Sequence, residues 1–161
     1  MLDGFGREAS SLRISVTQQC NLECFFCHKE GEAPSSLGPM SREEIRKLVE
    51  IGSKLGIRRA KITGGEPLLR PDIKDIVGDI SRYLEEVSLV TNGTLLSPIA
   101  RTLREAGLRR VNVSLHSLDR ENYRRIAGKD QLRSVEEGID AALEDGLSPV
   151  KLNVVVLRGI N

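Results

Sequence analysis

The segment LRISVTQQCNLECFFC, residues 12–27, combines two patterns that decide how this chain folds. Apolar and polar residues alternate over residues 12–17, which predicts a strand with one aliphatic face. All the cysteines of the chain follow this strand, at spacings of three and two residues: Cys20, Cys24 and Cys27. In α/β folds of parallel strands, the residues after a strand's carboxyl end form the functional site. The segment therefore predicts a sheet and a site at its edge.

Strand and helix patterns alternate along the rest of the chain. Apolar or alternating runs predict further strands at residues 59–63, 87–91, 110–116 and 150–157. Helical periodicity predicts helices at 41–56, 72–84, 98–106 and from 119 to about 144, with a break near Gly128. Strands separated by helices are typical of βαβ units with a parallel sheet, which right-handed crossovers wind into an open or closed barrel. The predicted fold class is α/β, a partial (β/α) barrel with about five parallel strands.

The first helix carries signals at both ends. Ser41 and Glu44 have the spacing of a capping box, and Gly56 predicts the end of the helix. Its apolar positions predict one buried stripe, formed by Ile45, Leu48, Val49 and Leu55.

Composition limits the functional classes. The 161 residues, 39% of them hydrophobic, predict a single domain over residues 1–161 that buries a core. A net charge of +1 and an aromatic content of 3% without Trp argue against nucleic acid as a partner. The polar start lacks the apolar segment of a signal peptide, and no apolar run is long enough to span a bilayer. We therefore expect a cytoplasmic protein without a membrane partner, whose reduced cysteines serve metal binding or catalysis.

The chain ends shortly after its last predicted strand. A βα fold seldom stops there, because the edge of that strand is left unpaired. The sequence therefore predicts a truncated chain that forms part of a larger barrel.

The two faces of the predicted strands differ in polarity. One face is aliphatic and is expected to pack on helices: Leu12, Ile14, Val16, Ala60, Ile62, Val87, Leu89, Val111, Val113, Leu115, Leu152, Val154 and Val156. The other face is polar and carries four cations: Arg13, Arg59, Lys61 and Lys151. Buried cations need partners, which favours an anionic ligand such as phosphate. The strand pattern equally allows the inner face of an open half-barrel to be hydrated.

Three thiolates on one short loop suit a [4Fe-4S] cluster whose fourth iron stays open. Because such clusters usually have four cysteine ligands, an open iron indicates a catalytic site. One alternative is a Cys3His zinc site completed by His28. His28 directly follows Cys27, so the two side chains cannot easily coordinate the same zinc ion. Structural zinc sites also typically take their ligands from two separate elements. The other alternative is three unrelated buried thiols.

With three further motifs, the cysteine loop resembles the radical S-adenosylmethionine (SAM) superfamily. The signature of that superfamily is C-x3-C-x2-C with an aromatic residue, here Phe26, before the last cysteine. GGEP at 64–67, TNG at 91–93 and SLHSLD at 114–119 follow in the expected order. More narrowly, nearly the whole chain from Leu12 resembles the N-terminal half of the GTP 3′,8-cyclase family, molybdenum cofactor biosynthesis protein A. The chain departs from the family at His116, where many members carry Asp, and at HKEG after the last cysteine. It also lacks the family's second cysteine triad and glycine-glycine tail.

The resemblance implies the radical SAM half of a (β/α)6 three-quarter barrel. It implies that the three cysteines hold three irons of a [4Fe-4S] cluster and that SAM chelates the fourth. One electron then cleaves SAM to a 5′-deoxyadenosyl radical. It further implies that Phe26 contacts the adenine, that the two glycines let the backbone approach the methionyl group, and that Glu66 lies beside the ammonium. The full implied set of SAM-binding residues is Phe26, Gly64, Gly65, Glu66, Pro67 and Ser114.

The resemblance also implies a lyase that converts GTP to 3′,8-cyclo-7,8-dihydro-GTP. The triphosphate would be held by Arg13, Lys61 and Lys151, with Arg59 as a further candidate and Thr91 between the cofactor and substrate zones. An electron donor and a downstream cyclic pyranopterin monophosphate synthase would be its partners. Without the second cluster, this chain alone is not expected to complete the reaction. The alternatives are another radical SAM enzyme, acting on a peptide or small molecule, and a zinc-binding scaffold. His28 and His116 are expected to make ordinary polar contacts.

Overall fold

A computed structural model describes residues 4–6, 9–28 and 38–161 of the chain. Strands and helices alternate through these residues as the sequence predicts. In chain order they are β1 Ser11–Ser15, α1 Arg42–Lys54, β2 Arg59–Thr63, α2 Ile73–Ser81, β3 Glu86–Thr91, α3 Ala100–Glu105, β4 Arg110–Ser114, α4 Arg120–Ala127, α5 Leu132–Glu144 and β5 Val150–Asn153. Short 3-10 helices, Pro67–Leu69 and Ser97–Ile99, precede α2 and α3.

The strands form one open parallel sheet in the order β1-β2-β3-β4-β5. Each strand therefore pairs with the next one along the chain, and a helical connection joins them. This confirms the α/β class and the parallel partial barrel. Because all the strands run the same way, the segments that follow them meet at one edge, here called the carboxyl edge. The opposite side is called the amino edge.

The aliphatic strand face forms the core over β1 to β4. Nine of the predicted residues are at most 5% exposed: Ile14, Val16, Ala60, Ile62, Val87, Leu89, Val111, Val113 and Leu115. The prediction is wrong for Leu152, Val154 and Val156, whose exposures are 53%, 55% and 82%. The described chain has no helix after β5 to cover that face.

Helix α1 confirms the predicted cap but not the whole buried stripe. The Ser41 hydroxyl accepts from the Glu44 amide at 3.2 Å, and the Glu44 carboxylate accepts from the Ser41 amide at 2.7 Å. Ile45 and Val49 are buried, whereas Leu48 and Leu55 are 42% and 56% exposed. The buried stripe is narrower than predicted because it runs through Ile45, Val49 and Gly52.

The predicted elements differ from the observed ones mainly at their ends. Gly128, with φ 76°, ends α4 and produces the predicted break before α5. The fourth and fifth strands are shorter than predicted. Past Ser114, the His116 imidazole rather than a backbone carbonyl accepts from the Val155 amide, at 3.2 Å. Within the described residues, no helix combines the length and apolarity needed to cross a membrane.

Candidate functional site

The cysteine loop, residues 18–28, follows β1 at the carboxyl edge and is held by the last turn of α4. The Glu23 amide donates to the Ala127 carbonyl at 3.0 Å, and the Phe25 amide donates to the Ile126 carbonyl at 3.2 Å. These bonds lie on either side of Cys24. The backbone of Cys24 in turn accepts from the Cys27 amide at 3.0 Å. The end of α4 therefore fixes the middle of the loop.

The three thiols differ in exposure. Cys20 and Cys27 are exposed and Cys24 is half-buried, so the alternative of three buried thiols is wrong. Burial, followed by the charges of Cys20 and Cys27, raises the pKa of Cys24 to about 11. Three thiolates that repel one another suit a cationic iron cluster. Across residues 4–6, 9–28 and 38–161, however, no group of three or more His, Cys, Asp or Glu residues is arranged to hold a metal ion. Cluster ligation therefore stays a prediction, and the zinc site with His28 has no geometric support either.

An amide network joins the cysteine loop to the turn after β3. Asn92 Nδ2 donates to Asn21 Oδ1 at 2.8 Å and lies 3.9 Å from Cys20 Sγ, within the distance of a weak hydrogen bond to sulfur. Asn21 Nδ2 donates to the Thr94 hydroxyl at 2.9 Å, and that hydroxyl donates to Asn92 Oδ1 at 2.7 Å. No local pattern in the sequence predicts this role for Asn21, Asn92 or Thr94, although Asn92 belongs to the TNG motif. This network holds Cys20 in place.

The glycines of the GGEP turn lie against the chain's own backbone. The Gly65 amide donates to the Thr17 carbonyl at 2.7 Å, and the Glu66 amide donates to the Gln19 carbonyl at 2.7 Å. A Cβ on Gly64, which has φ +151°, would be 2.4 Å from Thr17 O, and one on Gly65 would be 2.2 Å from Gln19 O. Glycine is therefore required here by contact with the segment before the cysteines. This reason differs from the predicted approach of SAM.

Glu66 is fully buried and joins two turns at the carboxyl edge. Its Oε1 accepts from the Leu68 amide at 3.0 Å and the Thr91 hydroxyl at 2.8 Å, and its Oε2 accepts from the Asn92 amide at 2.7 Å. Burial raises its pKa, and these three hydrogen bonds oppose the increase. Both carboxylate oxygens thus have partners within the chain, beneath the surface where the SAM ammonium was expected. Pro67 is buried at the start of the following 3-10 helix.

Thr91 lies at the end of β3, as predicted, but its hydroxyl is used inside the protein. It donates to Glu66 and accepts from the Gly93 amide at 3.0 Å, and the residue is 2% exposed. The structure therefore places Thr91 with the supporting hydrogen bonds of the turn and not on the surface of the site.

Phe26 stacks edge-to-face on His116, with ring centroids 4.8 Å apart and planes at 84°. His116 is buried, which lowers its pKa, and its Nδ1 accepts from the Val155 amide at 3.2 Å. An accepting Nδ1 assigns the neutral ring with its proton on Nε2. His116 therefore connects the cysteine loop to the segment after β5. Ser114 lies two residues earlier at the end of β4, opposite Asn153.

The structure brings two of the predicted substrate cations side by side. Arg13 and Lys61 are opposite each other in the β1–β2 register. Lys61 is half-buried and has no ion-pair partner among the described residues. Lys151 is on β5, at the other side of the sheet, opposite Asn112. The polar face therefore carries a close pair of cations and a third, separate one.

Arg59 is the first residue of β2 and lies at the amino edge, two positions before Lys61 on the same strand. Its Nη2 donates to the Ser10 hydroxyl at 2.9 Å, and it is opposite Glu86 in the sheet. It lines a cavity of about 610 Å³ at this edge together with Ser10, Arg58, Glu85, Glu86, Arg109, Arg110, Ser148 and Pro149. The structure does not bring Arg59 together with the cysteine loop.

The chain belongs to the radical SAM superfamily, whose family model matches residues 14–161. Membership implies a [4Fe-4S] cluster and SAM as cofactors. Over all 161 residues the chain is 52% identical to a Thermococcus kodakarensis protein named "Probable GTP 3′,8-cyclase", and it covers 52% of that protein. It is 50% identical over 159 residues to an Archaeoglobus fulgidus protein of the same name, covering 53% of it. The chain thus spans about half the length of these relatives, and the predicted resemblance is confirmed.

Solved structures support the fold. Streptococcus suis SuiB, solved with its precursor peptide SuiA, gives a TM-score of 0.77 at 18% identity, with 92% of this chain and 33% of SuiB covered. Native anSMEcpe with bound AdoMet gives 0.71 at 23% identity, with 89% of this chain and 42% of that chain covered. At these identities the likeness concerns the fold alone, a parallel partial barrel.

Proposed function

We propose that this chain is the radical SAM part of a GTP 3′,8-cyclase, a lyase of molybdenum cofactor biosynthesis. The observation that carries the proposal is identity of about 50% with proteins of that name along the whole chain. The cysteine loop at the carboxyl edge supports it, because that edge is where α/β barrels place their chemistry. The chain forms a single domain, and the complete reaction also needs the part of the relatives that it does not span.

Cys20, Cys24 and Cys27 are the proposed cluster ligands. Bound there, the cluster supplies the electron that cleaves SAM to the 5′-deoxyadenosyl radical. The chain contributes position: the end of α4 holds Cys24, and the Asn92 amide faces Cys20 Sγ. The free thiols fit a reducing compartment, so we place the protein in the cytoplasm.

The proposed SAM site extends from the cysteine loop along the ends of β2 and β4. Phe26 offers a ring surface to the adenine, and Ser114 offers a hydroxyl on the polar face. Gly64 and Gly65 present turn backbone, which Glu66 holds from beneath and Pro67 stiffens. In this arrangement Glu66 acts on SAM through the backbone of the turn, consistent with its three internal hydrogen bonds.

GTP is the proposed substrate, with Arg13 and Lys61 at its triphosphate and Lys151 reaching it from β5. The adjacent pair in the β1–β2 register favours an anionic substrate over a neutral or peptidic one. Thr91 supports the turn between the cofactor and substrate zones, and Arg59 is left out of the site by its position. The proposed partners are an electron donor and a downstream cyclic pyranopterin monophosphate synthase.

Anaerobic reconstitution tests the cofactor part of the proposal. We expect about four irons and four sulfides per chain and, after reduction, an EPR signal that changes when SAM is added. A Cys27→Ser variant should lose the signal, whereas a His28→Gln variant should retain it. Stoichiometric zinc with no cluster in the wild-type protein would contradict the enzymatic assignment.

Nucleotide binding tests the substrate part. We expect Lys61→Ala to weaken GTP binding about tenfold and to leave reductive SAM cleavage unchanged, because one charge-assisted contact is lost. Arg109→Ala, an exposed arginine at the amino edge, is the matched control and should bind GTP as the wild type does. Equal GTP affinity in the wild type and Lys61→Ala would remove Lys61 from the site.

A further inference from the structure

Tyr123 carries an unpaired polar atom deep in the protein. The residue is 1% exposed, and its hydroxyl is the one buried side-chain N or O atom without a hydrogen-bond partner among the described residues. Buried tyrosine hydroxyls usually have a partner, because leaving a polar group unpaired in an apolar interior is unfavourable. The hydroxyl therefore points to an acceptor that becomes available only when a further group is bound nearby.

Tyr123 lies beside the cysteine loop. It is one turn before Ala127, whose carbonyl accepts from Glu23, and Ile126 accepts from Phe25. These two bonds bracket Cys24. Cys24 in turn packs against the core cluster that contains Tyr123 and Ala127. The buried phenol and the half-buried cysteine therefore both face the core, on two segments that are joined by backbone hydrogen bonds.

The electrostatics agree with this placement. Burial is the main cause that raises the pKa of Tyr123 to about 12, and the charges of Cys24, Asp130 and Cys20 add to it. A phenol hydroxyl can donate one hydrogen bond. Asp130 is an exposed residue whose carboxylate accepts from Arg120 at 2.6 Å, whereas Cys24 is half-buried.

We propose that Tyr123 donates its hydroxyl to a cysteine sulfur of the bound cluster, that of Cys24, and thereby raises the reduction potential of the cluster. The inference rests on the proposed function, since it requires a cluster on the cysteine loop. Its physical basis is that a hydrogen bond to a ligating sulfur stabilises the more negative, reduced state. Tyr123 is in this sense a positioning and tuning residue and does not touch the substrate.

Tyr123→Phe tests the inference, because it removes only the hydroxyl. The chain has two tyrosines, and Tyr83 is the matched control: its hydroxyl is 3.3 Å from Arg46 Nη1, on the α1–α2 side of the fold. In an EPR-monitored redox titration of the reconstituted protein, we expect about a tenfold smaller reduction equilibrium constant in Tyr123→Phe. For one electron this is a potential about 59 mV lower. Tyr83→Phe should match the wild type.

Two further measurements keep the test decisive. Resonance Raman spectra should show iron–sulfur stretching bands whose shift in D2O is smaller in Tyr123→Phe than in the wild type and Tyr83→Phe. Part of the shift remains in all three proteins, because the Asn92 side chain and the Leu22 amide also face Cys20 Sγ. If Tyr123→Phe does not take up a cluster, 3-fluorotyrosine in the Tyr83→Phe background modifies Tyr123 alone, and its more acidic hydroxyl should raise the potential.

The outcomes separate the two proposals. A wild-type protein that binds no cluster overturns the proposed function and this inference with it. A wild-type cluster whose potential and deuterium shift are unchanged by Tyr123→Phe, or whose potential is unchanged by fluorination, overturns this inference alone.

Discussion

The two edges of the sheet are built from different interactions. At the carboxyl edge, Glu66 is 0% exposed and joins three turns: its amide donates to the turn after β1, and its carboxylate accepts from the turns after β2 and β3. At the amino edge, charged side chains pair near the surface. Arg58 and Glu85 form an ion pair at side-chain exposures of 63% and 68%, and Arg110 pairs with Glu86.

The two edges should therefore tolerate substitution to different degrees. Exposed ion pairs are screened by solvent, and each contributes about 0–1 kcal/mol. Buried donors that lose their acceptor cost about 1–3 kcal/mol each, and a backbone contact without space for a Cβ costs more. Substitutions should therefore be severe at the carboxyl edge and mild at the amino edge.

The largest effect is expected from Gly65→Ala. The added Cβ would be 2.2 Å from Gln19 O, so backbone must move and the hydrogen bonds between the GGEP turn and residues 17–19 weaken. We expect a loss of about 3 kcal/mol in the free energy of unfolding, measured by urea denaturation of the cluster-free protein. Gly78→Ala in α2 is the control, because its nearest contact would be 3.9 Å away and alanine favours a helix. Equal stability of Gly65→Ala and the wild type would contradict the close packing of these turns.

Glu66→Gln should have the next largest effect. A glutamine has one oxygen and places an NH2 group opposite either the Asn92 amide or the Leu68 and Thr91 donors. We expect a loss of about 2 kcal/mol, measured in the same way. Glu136→Gln, an exposed residue of α5, should leave stability unchanged. If both substitutions behave alike, the hydrogen bonds of Glu66 do not stabilise the edge.

Substitution of His116, at the carboxyl edge, should have a smaller effect on stability, and this effect should depend on pH. Burial lowers its pKa below 6.5, so the unfolded state binds the proton first as the pH falls. The stability that neutral His116 contributes is fully present above pH 6.5 and is lost as the pH falls through its folded pKa. Thermal unfolding of cluster-free protein between pH 7.5 and 5 should therefore depend less on pH in His116→Gln than in the wild type.

The other histidine provides the comparison. His28 is exposed, so His28→Gln should follow the wild-type pH profile. If the pH profile of stability flattens in His28→Gln and not in His116→Gln, the pH dependence does not come from His116.

The smallest effect is expected at the amino edge. Glu85→Gln removes one partner of the exposed pair with Arg58, and we expect a change below about 1 kcal/mol that shrinks further in high salt. A loss as large as that of Glu66→Gln would show that the two edges do not differ.

The sequence predicted most of the fold, because strand alternation, helix caps and glycine stops are local properties. The capping box of Ser41 and Glu44 and the break at Gly128 are confirmed. The prediction of burial from the sequence was less successful, because burial depends on which neighbouring element a helix packs against. Leu48 and Leu55 fit a helical stripe but face solvent, since α1 packs through Ile45, Val49 and Gly52.

The functional site shows the same contrast between local features, which the sequence predicts, and long-range contacts, which it does not. The sequence placed the cysteines, the GGEP turn and the TNG turn at the ends of successive strands. It could not show which side chains support them. Asn92 meets Cys20 across 72 positions and Lys129 meets Asn21 across 108, and no local pattern encodes such contacts.

The parallel strand–helix alternation, the cysteine loop and the radical SAM family can all be predicted from the sequence, because each depends on residue types at short, regular spacings. Four facts emerge only from the folded chain: the GGEP glycines are required by the chain's own backbone, Glu66 is an internal acceptor, Arg59 lies at the amino edge, and the buried Tyr123 hydroxyl has no partner among the described residues. These facts depend on distances between residues far apart in the chain, which are fixed when the turns of different strands pack together.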